Sequence, residues 1–193
     1  MMKNICVYAA SSTKIDAAYF QAAQKLGTLI AKKKWNLVNG AGNMGLMAAT
    51  SDAALAEEGH VIGVIPHFMI ERGWQHIGLS ELIEVNDMHE RKKIMADLSD
   101  GTIALPGGIG TLEEILEVIT WKQLGLFVKP IVILNINGFY DNLIQQLSHC
   151  IDEQFMRKLH GELWEVAKTP EQALTFIEQT PDWDQELSKF AAI

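Results

Sequence analysis

The sequence predicts an α/β fold, a doubly wound parallel sheet with helices on both faces. Three observations carry this. Short apolar runs alternate with helical patterns along the whole chain. The apolar runs are continuous rather than alternating, as expected for strands covered on both faces. Two glycine-rich turns each follow a predicted strand and open a predicted helix.

In order, Asn4 to Ala9 reads as a strand and Ala17 to Lys33 as a helix, its inner side marked by Phe20, Ala23, Leu26 and Ile30. Leu37 and Val38 mark a second strand, and Met44 to Glu58 a second helix. Val61 to Ile65 is a third strand closed by Pro66, and a loop rich in Gly and His follows. Leu82 to Val85 is a fourth strand, after which Asp87 can cap a helix reaching Leu98. Thr102 to Leu105, the helix Leu112 to Leu124 and the strand Pro130 to Leu134 come next. Tyr140 to Arg157 is helical, Trp164 to Val166 is an edge strand, and Pro170 to Gln179 is the last helix. Trp183 and Phe190 make the tail too apolar to be solvated, so it is expected to pack on the body or on a partner subunit.

The 193 residues carry no repeat, Pro-rich linker or low-complexity tract, so one domain over 1–193 is expected. With 48% apolar and 21% charged residues, the chain has enough material for a sizeable core. No apolar window is long enough for a membrane span, and the start of the chain lacks signal-peptide character. The two cysteines, Cys6 and Cys150, have no metal or redox spacing, so a reducing cytoplasmic home is expected. The net charge of −8 argues against a nucleic-acid polymer as partner.

In a parallel sheet the ligand sits outside the carboxyl ends of the strands, so the chemistry should lie in the loops after the strands. Six glycines occupy two of these loops, Gly40, Gly42 and Gly45 after the second strand and Gly107, Gly108 and Gly110 after the fifth. Glycine allows close backbone approach and helix-opening N–H groups attract anions. Both loops are therefore candidate phosphate cradles. Backbone groups escape a count of net charge, so an acidic chain can still hold one small phosphate.

Gly40 to Gly45 is formally G-x-G-x-x-G, but it follows the second strand, and the next strand ends without an acidic residue for a ribose diol. Leu46 stands where a P-loop requires Lys. His89-Glu90 begins H-E-x-x-H, yet Lys93 holds the second histidine position, so no metal site of that kind is expected. Ser11-Ser12-Thr13-Lys14 has S-x-x-K spacing without companion motifs, and no G-x-S-x-G elbow occurs.

Two segments remain, Met88-His89-Glu90-Arg91-Lys92 after the fourth strand and Pro106-Gly107-Gly108-Ile109-Gly110-Thr111-Leu112-Glu113-Glu114 after the fifth. Thr111 and Glu114 also fit a purely structural capping box. Adjacent Glu113 and Glu114 point about 100° apart on a helix, so one of them is expected to face the site. A glutamate in a first helical turn beside an arginine should stay ionised. That makes Glu114 a poor general acid, but a fit base or stabiliser of the positive charge that develops when a ribosyl bond breaks.

These paired segments resemble the LONELY GUY (LOG) family of cytokinin riboside 5′-monophosphate phosphoribohydrolases, long misnamed lysine decarboxylases. The likeness runs from about Val7 to Phe155 and includes Val61 to Pro66, Thr120 to Gly125 and Asn135 to Asp141. It implies a dimeric Rossmann-like enzyme, without cofactor, that releases a free base and ribose 5-phosphate from a nucleoside 5′-monophosphate. The N6 substituent of the adenine, including its absence in AMP, is left open. By motif position Arg91 and Glu114 are the catalytic pair. Lys92, Gly107, Gly108, Ile109, Gly110, Thr111, Leu112, Glu113 and Thr120 line the substrate site, with Met88 against the base. Ser11, Ser12 and the glycine turns, Gly42 and Gly45 included, would hold the phosphate. Related molybdenum-cofactor carriers offer the alternative of a non-catalytic carrier of the same fold. Two departures from the family stand out, Ala9-Ala10 in place of Cys-Gly, and Ala41 within the usual Gly-Gly-Gly. An alanine forced to positive φ there would be strained by about 1–2 kcal/mol.

Overall fold

In the computed structural model, residues 2–190 are described, with side chains as far as Leu187. Seven strands form one parallel sheet in the order β4-β3-β2-β1-β5-β6-β7. They are β1 (Asn4–Tyr8), β2 (Asn36–Asn39), β3 (Val61–Pro66), β4 (Glu81–Val85), β5 (Gly101–Ala104), β6 (Ile131–Leu134) and β7 (Glu165–Ala167). The chain winds outward from β1 to β4, returns to the centre and winds the other way from β5. β1 and β5 therefore pair side by side, Cys6 opposite Thr102 and Tyr8 opposite Ala104, and their onward connections diverge. That is the switch point at which such sheets open a crevice.

The strands alternate their side chains between two cores. Ile5 and Val7 face α1 (Ala17–Lys32), α2 (Gly45–Ala56) and α7 (Pro170–Gln179), where Leu26, Ile30, Ala54 and Ile177 are buried. Cys6 and Tyr8 face α4 (Met88–Asp97), α5 (Ile109–Gln123) and α6 (Asp141–Asp152), where Met95, Ile115, Val118 and Leu147 are buried. Both faces are thus covered, which explains the unbroken apolar strands. Among the described residues no helix is long and apolar enough to cross a membrane.

The structure departs from the sequence reading in three places. The segment after Pro66, read as loop, begins with a short helix, α3 (His67–Glu71). Its Pro and His resemble turn signals, but a proline sits naturally just ahead of a first helical turn. α6 stops at Asp152 instead of Arg157, because Gln154 takes a left-handed conformation with φ of 65°. The apolar period that suggested a longer helix ends on Phe155, which is 85% exposed. α5 begins at Ile109, three residues before the predicted Leu112, with Gly108 as its N-cap. The expected caps and edges are otherwise present. Asp87 accepts from the His89 and Glu90 N–H groups, and β7 lies at the sheet edge.

Trp183 packs against the second core, and its backbone N–H donates to the Val128 carbonyl at 2.7 Å. The tail thus returns to the body as far as Trp183; the Phe190 side chain lies outside the described residues. Of the apolar residues near the end of α5, Phe127 is buried and Trp121 half-buried, whereas Leu124 and Leu126 are 52% and 74% exposed.

Candidate active site

A cavity of about 480 Å³ opens at the carboxyl edge of the sheet, over the divergence of β1 and β5. A wider depression of about 590 Å³ lies over α1 and α2, but it is more open and lacks both Arg91 and Glu114. The sheet-edge cavity is therefore the candidate site. Ser11 and Ser12 line it from the end of β1, Gly42 from the β2 turn, Met88 and Arg91 from α4. Gly108, Ile109, Gly110, Thr111, Glu113 and Glu114 line it from the start of α5.

Arg91 is 5% exposed and its guanidinium is fixed by backbone. Nη2 donates to the Gly40 carbonyl at 2.9 Å and Nε to the Val64 carbonyl at 3.1 Å. Residue 40 has to be glycine for this, since a Cβ there would lie 1.6 Å from Nη2. Burial lowers the guanidinium's pKa from its ordinary value, and the Glu114 carboxylate opposes that. No ion pair within 4.0 Å joins Arg91 to Glu114 among the described residues. The arginine acts on the carboxylate through space and does not clamp it.

Glu114 is 8% exposed, and its carboxylate makes no hydrogen bond among the described residues. Burial raises its pKa to about 7, against the pull of Arg91. The expectation of a fully ionised glutamate is thus corrected, because desolvation outweighs the arginine and the helix end. Both protonation states are therefore within reach near neutral pH. The group is able to act as acid as well as base.

The proposed capping box is absent. With Gly108 at the N-cap, Thr111 sits inside the first turn, buried and lining the cavity. Gly107 lies beneath it, its Cβ position 2.1 Å from Thr111 Oγ1. Both adjacent glutamates line the cavity, where one was expected, Glu114 buried within and Glu113 at the rim with its side chain 54% exposed.

The two glycine turns differ in what their N–H groups do. In the β2 turn, Ala41 N–H donates to Asn39 Oδ1, Gly42 N–H to Met47 Sδ and Asn43 N–H to the Trp74 carbonyl. Leu46 and Met47, in the first turn of α2, both donate to the Ala10 carbonyl. Five of this turn's N–H groups are thus already engaged, and Gly45 lies against the Ser11 backbone outside the cavity wall. In the β5 turn, Ile109, Gly110 and Thr111 begin α5 with no side-chain cap, so their N–H groups are the orphan donors of a helix start. Ala41 has φ of 57°, as its place among the glycines predicted, and its methyl fits because residue 63 opposite is glycine.

Besides Gly45 and Gly107, three further predicted residues lie outside the cavity wall. Lys92 is buried and turned toward Glu113 and Glu117. Leu112 is half-buried against the second core. Thr120 is exposed farther along α5, its hydroxyl donating to the Leu116 carbonyl. Sequence reasoning missed Met69 and Trp74, which the segment after β3 brings to the wall. That segment docks on the β2 turn through an isolated bridge between Gly42 and Gln75, a pairing without local sequence signal.

The family model described as "Possible lysine decarboxylase" matches residues 47–177. The chain is similar to cytokinin riboside 5′-monophosphate phosphoribohydrolase LOG7 of Arabidopsis thaliana, 39% identical over 97% of this chain and 87% of the relative. It is also similar to the probable cytokinin riboside 5′-monophosphate phosphoribohydrolase LOGL2 of Oryza sativa subsp. japonica, 39% identical over 97% of this chain and 77% of the relative. Among solved structures, the molybdenum cofactor binding protein of Rippkaea orientalis matches with a TM-score of 0.69 and 25% identity, over 92% of this chain and 96% of that one. With a buried Arg91 and Glu114 meeting at the switch point of a doubly wound sheet, and with relatives of this identity along nearly the whole chain, the protein belongs to the LOG family.

Proposed function

We propose that this protein hydrolyses the N-glycosidic bond of an adenine-type nucleoside 5′-monophosphate, releasing the free base and ribose 5-phosphate. The observation that carries the reading is the hydrogen-bond-free Glu114 carboxylate facing the cavity beside the helix start of α5. The phosphate sits on the N–H groups of Ile109, Gly110 and Thr111 with help from Ser11 and Ser12. The base lies against the thioether and aromatic wall of Met88, Met69 and Trp74. Glu114, ionised, stabilises the ribosyl cation or orients the attacking water. Arg91 contributes fixed positive charge toward the substrate. The cavity wall contains no lysine, so it offers no amine to hold a pyridoxal cofactor, and the decarboxylase description finds no support there.

Two copies assemble through the outer stripe of α5 and the turn after it, where Leu116 on the helix and Leu124 and Leu126 beyond its end are exposed. Thr120 stands on this stripe, about 9 Å along the helix beyond Glu114 and outside the cavity wall, so its place in a substrate site belongs to the partner copy's cavity. The protein works in the cytoplasm.

Incubation of the purified protein with AMP and with isopentenyladenosine monophosphate, followed by assay of free base, tests the reading. Release from at least one is expected; release from neither by a folded protein contradicts it. The likeness to a molybdenum cofactor binding protein favours a second reading, a non-catalytic carrier. That reading predicts nucleotide or cofactor binding with no base release.

A further inference from the structure

The tightest ion pairing beside the cavity involves a residue that does not line it. Arg91 and Lys92 are neighbours on α4, and successive helical residues point about 100° apart. Arg91 turns to the Gly40 and Val64 carbonyls, so Lys92 turns to α5. Its Nζ donates to Glu113 Oε1 at 2.5 Å and stands 3.2 Å from Glu117 Oε2, while its side chain is only 4% exposed. Glu113 and Glu117 lie one turn apart and share a face of α5. An ammonium buried between two carboxylates is strongly fixed, since removing either side leaves a buried charge uncompensated. Of these residues Glu113 reaches the cavity wall, and Lys92 does not.

We infer that Lys92 is a positioning residue that never meets the substrate: by gripping Glu113 and Glu117 it holds the Glu113 carboxylate at the cavity rim as an acceptor for the ribose hydroxyls. The inference rests on the phosphoribohydrolase reading and departs from the substrate-lining role that the family resemblance implies for Lys92. A cis-diol offers two donors, and a carboxylate with one oxygen engaged by Lys92 keeps its other oxygen for them. Without the grip, a half-exposed glutamate would sample several rotamers, and each productive encounter would have to order it.

The clamp also sets the charge felt by Glu114. The groups facing that carboxyl are Arg91 and Lys92 from α4, Glu113 and Glu117 on its own helix, Cys6 and Tyr8 from β1, and Tyr140 ahead of α6. Glu113 and Glu117 raise its pKa, whereas Arg91 and Lys92 lower it. Removing Lys92 therefore moves the Glu114 titration up, and removing Glu113 moves it down. These signs follow from the two charges alone, so the KM pattern of the single and double variants is what separates positioning from packing.

The test compares Lys92→Met, Lys92→Arg, Glu113→Gln and the double variant Lys92→Met/Glu113→Gln, in the full chain. Two quantities are read, steady-state release of adenine from AMP and the carbon-13 NMR titration of the Glu114 carboxyl in the unliganded protein. Lys92→Met is expected to raise KM about 10-fold, the loss of one charge-assisted hydrogen bond, and Lys92→Arg to restore most of it. The double variant should be no worse than Glu113→Gln, because Lys92 acts through Glu113. The Glu114 midpoint should move up in Lys92→Met and down in Glu113→Gln. A further KM loss from Lys92→Met in the Glu113→Gln background would show direct substrate contact and overturn the inference. Shifts of the same sign would overturn it as well. Should Lys92→Met lose its fold, Lys92→Arg and the half-exposed Glu113→Gln still carry both readouts. Absence of base release by the wild type would sink the hydrolase reading alone, since the NMR shifts report the clamp without turnover.

Discussion

The turns after β2 and β5 have similar glycine content and opposite uses. In the first, the N–H groups of Ala41, Gly42, Asn43, Leu46 and Met47 are engaged by Asn39, Met47, Trp74 and Ala10. That turn is a buttress. It supplies the Gly40 carbonyl that fixes Arg91 and docks the segment carrying Met69 and Trp74. In the second, α5 begins directly on the glycines and its first N–H groups carry no cap. The lesson is that a glycine turn becomes an anion site through what its N–H groups leave unpaired. Its spelling alone does not decide.

The largest expected effect lies on the β5 side. Glu114→Gln should lower kcat/KM by about 10²–10⁴-fold, the usual range for a lost acid–base group, with AMP binding retained. The wild type's kcat/KM should rise with pH through a midpoint near 7, because the ionised carboxylate is the active form. Stability should run the other way. The folded value of about 7 lies above the ordinary glutamate value of 4.5, so this group's contribution is complete below pH 4.5 and is lost as pH rises through 7. Glu114→Gln should therefore stabilise the fold by about 3 kcal/mol at pH 8 and by about 1 kcal/mol at pH 5, read by urea denaturation.

On the buttress side, Gly40→Ala drives a methyl into the Arg91 guanidinium. It should cost about 3 kcal/mol of stability and reduce activity at saturating substrate, although residue 40 does not line the cavity. A smaller effect separates the turns directly. Ile109→Pro removes one N–H at the first position of α5, where proline is tolerated. KM for AMP should rise about 10-fold with stability nearly unchanged. The smallest expected effect is Ala41→Gly. Relief of positive φ, loss of a buried methyl and greater unfolded-state freedom nearly cancel, so stability should move by less than about 0.5 kcal/mol and KM not at all.

The sheet was legible in the sequence because each strand is a continuous apolar run between helical patterns, and even β7, the short Glu165–Ala167, was found as an edge. The segments carrying Ser11, Met88, Arg91 and Glu114 could be placed at the carboxyl edge because each follows a strand or starts a helix there, while the individual residues were picked out by the family resemblance. What escaped depends on tertiary context. The start of α5 at Ile109 is set by the β5 turn, where glycine's weak helix propensity hid it. The ionisation of Glu114 depends on burial, and the amphipathic pattern does not reveal how deep a first-turn side chain lies. Trp74 reaches the cavity through a long-range bridge to Gly42, and Lys92 turns from it through an ion pair with another helix. Neither contact leaves a local mark in the sequence.

A crystal structure of the Glu114→Gln variant with AMP bound tests the central claim most directly. The account predicts phosphate oxygens on the Ile109, Gly110 and Thr111 N–H groups, the anomeric carbon beside residue 114 and the base against Met88. Phosphate on the Gly40–Gly45 turn, or nucleotide bound away from the sheet-edge cavity, would contradict it.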